Sequence, residues 1–194
     1  MILTNFVPTD YQDKLEELIL GNNIDWYYQP ATVYAGQGQD LYPNDWCVTP
    51  QTKESWQFVH TSAGANGRIY SPTHKLFLPI LGMAGIARPN INRVKCNLMF
   101  RDASFPEGFH NTPHVDDHSS NMRTLLYYVN DSDGDTIIFN ERYQEGVHIN
   151  DLTVKYKCTP KKGTALLFDS NLFHCGSPPR ETERRSVINF IFGV

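Results

Sequence analysis

Two rhythms of apolar and polar positions divide this chain. In "VPTDYQDKLEELILG", Leu15, Leu18 and Ile19 recur at helical spacing, Thr9 stands where an N-cap belongs, and Gly21 stands where the helix stops. "IDWYYQ" has the aromatic content of a strand. From Gln29 to Tyr70 the chain is rich in Gly, Asn, Ser and Pro, which predicts long loops with short ordered pieces. Tyr34, Trp46, Trp56 and Phe58 within it call for burial or a ligand. A second helix is predicted over Thr73 to Ile86, distorted by Pro79 and stopped by Pro89. From Val94 onward, short apolar runs recur between turn signals: "RVKCNLMF", "RTLLYYVN", "DTIIFN", "LTVKYKC", "GTALLFD" and "RRSVINFIF". Such spacing predicts an antiparallel sandwich or barrel. The expected fold class is mainly β with flanking helices. One domain is expected over residues 1–194: a helical and loop part to about residue 92, and a β core from about residue 93.

With 194 residues the chain can bury a sizeable core. No apolar run approaches the roughly 20 residues of a membrane span, and the N-terminus lacks the marks of a signal peptide. A cytoplasmic protein is therefore expected. A net charge of −4 and a pI near 5.9 argue against a partner tracked through its phosphates, so nucleic acid is disfavoured. Lys155, Lys157, Lys161, Lys162 and Arg180 read as solvated strand edges and turns. The four cysteines are irregularly spaced and form no C-x-x-C pair. Thiols in a reducing compartment fit better than a disulfide framework or a zinc knuckle.

The candidate chemistry begins at "NTPHVDDHSS". On an extended strand, residues i and i+2 share a side, so His114 and Asp116 can aim at one point while Asp117 points away. His114 and His118 would share a face only on a helix. There Val115 occupies the glutamate position of the H-E-x-x-H zinc proteases, which removes that reading. His174, after the run "GTALLF", supplies a second imidazole. Two histidines and one carboxylate form the facial triad of non-heme Fe(II) oxygenases, with positions left open for other ligands. In "RRSVINFIF", alternation puts Arg184, Ser186, Ile188 and Phe190 on one face and Arg185, Val187, Asn189 and Ile191 on the other. A guanidinium turned into a small cavity beside a hydroxyl fits a carboxylate.

Together these segments resemble a 2-oxoglutarate- and Fe(II)-dependent dioxygenase of the prolyl 4-hydroxylase-like group. The resemblance runs from about Arg93 to the C-terminus. It rests on "PHVD", "TLLYYVNDSDGDTIIF", "PKKGTALLFDSNLFHCGSPP" and "RRSVINFIF". It implies a double-stranded β-helix, or jelly roll, with iron held by His114, Asp116 and His174. It further implies 2-oxoglutarate as co-substrate, its far carboxylate held by Arg184 with Ser186 and Tyr128; Arg185 is the fallback, and Asn97 a further contact. O2 would then be consumed in oxidative decarboxylation coupled to hydroxylation of a substrate, a peptide or protein by analogy and a peptidyl proline in particular. Arginine at the anchor matches the oxygen-sensing hydroxylases rather than the collagen-type enzymes, which carry lysine. Phe190 stands where the DNA-repair dioxygenases carry a second arginine.

Several residues take plainer readings. His60, His74 and His148 read as structural or surface residues, while His110 and His118 flank the site and are candidates to touch substrate or support a ligand. Cys175 should point away from the metal. "RDASFPEGFHNTP" reads as a lid, and with residues 26–70 as a recognition surface. The rivals are a non-catalytic jelly-roll binding module and an iron oxygenase that does not use 2-oxoglutarate. A halogenase is disfavoured because Asp116 keeps the carboxylate ligand.

Overall fold

The computed structural model describes residues 1–33, 47–64, 67–145 and 151–193. Tyr34, Trp46 and His148 lie outside them. In chain order the elements are β1 (Ile2–Leu3), α1 (Thr9–Leu20), β2 (Tyr27–Gln29), β3 (Gln57–Gly64), β4 (Arg68–Ile69), α2 (His74–Phe77) and α3 (Pro79–Met83). There follow β5 (Asn90–Phe100), β6 (Met122–Tyr128), β7 (Thr136–Arg142), β8 (Val154–Cys158), β9 (Ala165–Asp169), β10 (Leu172–Gly176) and β11 (Arg184–Gly193). The large sheet runs β1-β9-β6-β11-β5-β3-β2, with β4 paired to β3; the small sheet runs β10-β7-β8. All pairings between named strands are antiparallel. This is the mainly β class that the pattern predicts, in the two-sheet jelly-roll arrangement that the resemblance implies.

The two faces of the large sheet meet different partners. β11 shows the division because it lies between β5 and β6. Its Ile188, Phe190 and Phe192 join Val94, Cys96, Leu125 and Tyr127 against Leu15 and Ile19 of α1 and Phe77 and Ile80 of the short helices. Its Val187 faces the other way, with Leu126, Tyr128, Leu166 and Phe168, onto Ile138 and Cys158 of the small sheet. Period-2 alternation thus feeds two cores from one strand.

Three local expectations change. The helix expected over Thr73 to Ile86 is two short helices, because Pro79 has no N–H to continue the first and serves as the first residue of the second. Pro8 rather than Thr9 caps α1, with no side-chain capping bond. The stretch read as loops contains β3, eight residues whose pairing with β5 puts it inside the large sheet. Its sequence, "QFVHTSAG", is too polar and small to announce a strand. With β1 and β2 also paired, the sheet reaches well upstream of residue 93. Gly21 does end α1: a Cβ there would sit 2.5 Å from the Glu17 carbonyl oxygen.

Phe190 is fully buried between the large sheet and the helices. Phe190→Ala should destabilise the protein by about 3–5 kcal/mol through lost burial and the cavity left behind. Chemical denaturation of the two proteins measures the difference; a loss under about 1 kcal/mol would mean this core is not tightly packed.

Candidate metal centre

The segment before β6 docks along the edge of β10. His114 N donates to His174 O and His174 N to His114 O, both at 2.9 Å. Asn111 N donates to Gly176 O at 3.0 Å, and Asp116 N to Ser170 O at 2.9 Å. This short antiparallel bridge sets the two imidazoles side by side, with ring centroids 4.7 Å apart. Asp116, two residues on, falls on the same side. One ligand atom from each of His114, Asp116 and His174 lies within 4.8 Å of the others.

Local hydrogen bonds prepare each group as a donor to a cation. His114 Nδ1 lies 3.0 Å from Thr112 O, and His174 Nδ1 lies 3.0 Å from Leu172 O. A carbonyl only accepts, so each Nδ1 carries a hydrogen, and in the neutral ring it is Nε2 that offers the lone pair. Asp116 Oδ1 accepts from Arg93 Nη2 at 2.8 Å; Oδ2 accepts from Thr124 Oγ1 at 3.0 Å and Asn189 Nδ2 at 3.1 Å. Burial alone would raise the Asp116 pKa. His174, Arg93 and His114 outweigh it and hold the carboxyl well below its usual range. Burial, with His174 beside it, pushes the His114 pKa down to about 4. Near neutral pH Asp116 is therefore a carboxylate and His114 a neutral imidazole, and with the His174 ring beside them they make a donor set that suits Fe(II).

The triad opens onto a cavity of about 450 Å³, whose wall also carries Lys95, Asn97, Leu126, Thr136, Arg185 and Val187. Here the structure corrects an expectation. Arg184 faces the helix side, its Nη1 donating to Leu20 O at 3.1 Å and its Nη2 lying 3.9 Å from Glu183. Ser186 shares that face, fully buried, its hydroxyl without a hydrogen-bond partner among the described residues. Neither lines the cavity, because Ile188, Phe190 and Phe192 on the same face are claimed by the helices. Arg185, the fallback, is the arginine that enters. Its Nε donates to Gly134 O at 2.8 Å and its Nη2 to Thr136 Oγ1 at 2.7 Å. It is 3% exposed, with no carboxylate in ion-pair range among the described residues. Burial pushes its pKa down. A Cβ at Gly134 would lie 2.9 Å from Arg185 Cδ, so glycine there makes room for the side chain. Tyr128 is on the inner face, its hydroxyl donating to Thr136 Oγ1 at 2.9 Å. It thus braces the residue that holds Arg185.

Other expectations sort by position. Asn97 lines the cavity and donates to Gln57 Oε1 at 2.7 Å. Cys175 packs with Ile137, Phe139 and Phe173, on the opposite side of β10 from His174. His110 is buried beside Thr49 and His118 stacks on Tyr143; neither lines the triad's cavity. His60 is tied to Asp25 O and Thr73 Oγ1, a structural role. The stretch read as a lid is pinned down through Arg101 N to Glu183 O, Asp102 N to Pro179 O and the buried Phe105, and none of its residues lines the cavity. Arg93, Lys95, Thr124, Thr136 and Asn189 are site residues that the sequence reading did not name. Alternation within "RVKCNLMF" and "RRSVINFIF" carried the signal for three of them.

Below its ordinary pKa of 6.5, His114 takes up a proton in the unfolded chain but, in the folded protein, only near 4. The metal-free protein should therefore lose stability as pH falls from about 6.5 to about 4. His114→Gln should flatten this part of the curve by about one proton's slope. Denaturation at stepped pH checks it, and equal slopes for the two proteins would contradict the assignment.

Residues 99–192 match the family model of the 2OG-Fe(II) oxygenase superfamily. A search of curated proteins returned no match. Among solved structures, HygX from Streptomyces hygroscopicus, with nickel and 2-oxoglutarate bound, superimposes with a TM-score of 0.59 at 11% identity, over 100% of this chain and 82% of that one. The non-heme alpha ketoglutarate dependent epimerase SnoN from nogalamycin biosynthesis gives 0.58 at 10% identity, over 99% and 76%. AviO1 from Streptomyces viridochromogenes gives 0.55 at 10%, over 97% and 86%. At such identities these three speak to the fold. Residues 99–192 are thus similar to the 2OG-Fe(II) oxygenase superfamily, a class whose cofactors are Fe(II) and 2-oxoglutarate, and the grouped His114, Asp116 and His174 could hold such a metal.

Proposed function

We propose that this protein is a 2-oxoglutarate-dependent Fe(II) oxygenase that hydroxylates its substrate, with His114, Asp116 and His174 as the metal ligands and Arg185 as the co-substrate anchor. The observation that carries the reading is Arg185. A buried guanidinium without a carboxylate partner is costly to maintain. This one lies on the wall of the same cavity as a ready set of metal donors. A dicarboxylate bound to both would satisfy it.

In this reading each residue has a task. His114 and His174 present Nε2, and Asp116 presents a carboxylate steadied by Arg93, Thr124 and Asn189. Arg185 holds the far carboxylate of 2-oxoglutarate, and Thr136, braced by Tyr128, keeps the guanidinium aimed. Leu126, Val187 and Met99 supply apolar wall that excludes water. When bound, iron with 2-oxoglutarate and O2 supplies the oxidation, releasing succinate and CO2. A peptidyl proline stays the analogy's candidate substrate, to be screened by succinate release and a mass gain of one oxygen. The buried thiols of Cys96, Cys158 and Cys175 support a reducing, cytoplasmic setting. Among the described residues no helix is long and apolar enough to cross a membrane.

Anaerobic titration of the Fe(II)-loaded protein with 2-oxoglutarate should raise a visible charge-transfer band. Arg185→Gln should demand about 10–100-fold more 2-oxoglutarate, the cost of one charge-assisted pair. Arg184→Gln should shift it less than about twofold, as expected of a half-buried arginine on the face turned away from the cavity. No band with iron loaded, or equal effects of the two variants, would defeat the reading.

A further inference from the structure

The cavity holds a third cation, which the reading above leaves without a task. Lys95 lies on β5, facing inward with Arg93 and Asn97, and Thr61 of β3 stands directly across from it. Arg93 is engaged by Asp116 at 2.8 Å. The Lys95 ammonium has no hydrogen bond or ion pair with any described residue. Burial, aided by Arg93 and opposed by Asp116, pushes its pKa down to about 7, as expected of a cation short of a counter-ion.

Charge accounting points the same way. Arg93, Lys95 and Arg185 are the lysine and arginine residues of the wall, and Asp116 is its sole carboxylate among the described residues. Fe(II) and the 2-oxoglutarate dianion cancel each other. With Lys95 protonated, the loaded cavity would still carry two uncompensated positive charges, which a neutral substrate would leave in the wall.

Position separates Lys95 from the co-substrate anchor. Across the β11–β5 pair, Arg185 stands opposite Met99 and Asn189 opposite Lys95. Four residues of strand span roughly 13 Å. Asn189 donates to Asp116, so Lys95 stands level with the metal donors, on the side of the wall that continues through Thr61 and Gln57. Substrate must approach the metal donors, and a group held by Lys95 would lie beside them.

Resting on the oxygenase reading, we propose that Lys95, with Thr61 beside it, binds a carboxylate or phosphate oxyanion carried by the primary substrate. The substrate class is thus a small anionic molecule, or the anionic group of a larger one, oxidised at a carbon near that group. Its partner in recognition is an ammonium in a largely desolvated wall, where one ion pair is worth far more than at the surface.

The test is anaerobic calorimetry on the Fe(II)- and 2-oxoglutarate-loaded protein, repeated on the metal-free protein. The probes are N-acetylglycine, methyl phosphate and the neutral N-acetylglycinamide. One or both anions should bind and the amide should not; which anion binds names the oxyanion. Lys95→Met removes a buried charge and should fold at least as well as the wild type. Both it and Lys95→Gln should weaken anion binding at least tenfold while the 2-oxoglutarate affinity, read from the charge-transfer band, moves less than twofold. Equal binding of the amide, no binding of either anion, or a loss confined to 2-oxoglutarate would overturn the proposal. The last result would assign Lys95 to the co-substrate. An absent charge-transfer band would count against the oxygenase reading alone. Anion binding to the metal-free protein that Lys95→Met abolishes would still uphold the oxyanion site.

Discussion

Two backbone hydrogen bonds exchanged between His114 and His174 hold the site together. They turn a stretch of loop into a brief antiparallel partner of β10. Once that pairing exists, the side chains have little choice: directly opposed residues on a bridge share a face, and the residue two positions on returns to it. His114, His174 and Asp116 are brought together by main-chain geometry, before any metal acts on them. The carbonyls of Thr112 and Leu172 then fix both rings in one tautomer. Metal affinity in such an arrangement does not have to meet the cost of gathering the ligands.

β11 supplies the second constraint. It is the central strand between β5 and β6, and both of its faces are used to capacity. Outward, it offers Ile188, Phe190 and Phe192 to α1 and the short helices. Inward, it offers Arg185, Val187 and Asn189 to the cavity. The helix packing and the site chemistry are therefore coupled: the apolar demand of the outer layer decides which polar residues are left for the inner one. Arg184 and Ser186 lose their place at the site for this reason alone.

The inner wall is unusually rich in positive charge for an acidic protein. Arg93 is consumed by Asp116, Arg185 is aimed at one end of the cavity, and Lys95 waits near the metal donors. Hydrogen bonds hold Arg93 and Arg185 in place while Lys95 has none among the described residues, so the wall gains most when anions enter. The proposed dianionic co-substrate and the proposed substrate oxyanion would both answer the same electrostatic deficit.

The sequence by itself determined the class of the fold and which two histidines and one aspartate would be grouped as a candidate metal site. Short apolar runs between turn signals announced the strands β5 to β9 and β11, and H-x-D spacing with a distant histidine after a strand announced the triad. These are local facts: parity along a strand needs no knowledge of what the strand packs against. Only the tertiary structure decided which parity points inward. The phase of "RRSVINFIF" was legible, but its direction depended on where the helices lay, so Arg184 and Arg185 could not be told apart from the chain alone. β3 stayed hidden because its strand character comes from its neighbours rather than from its own side chains. The company kept by Asp116, and the solitude of Lys95, were settled by strand register, which is a property of pairs of segments rather than of any one of them.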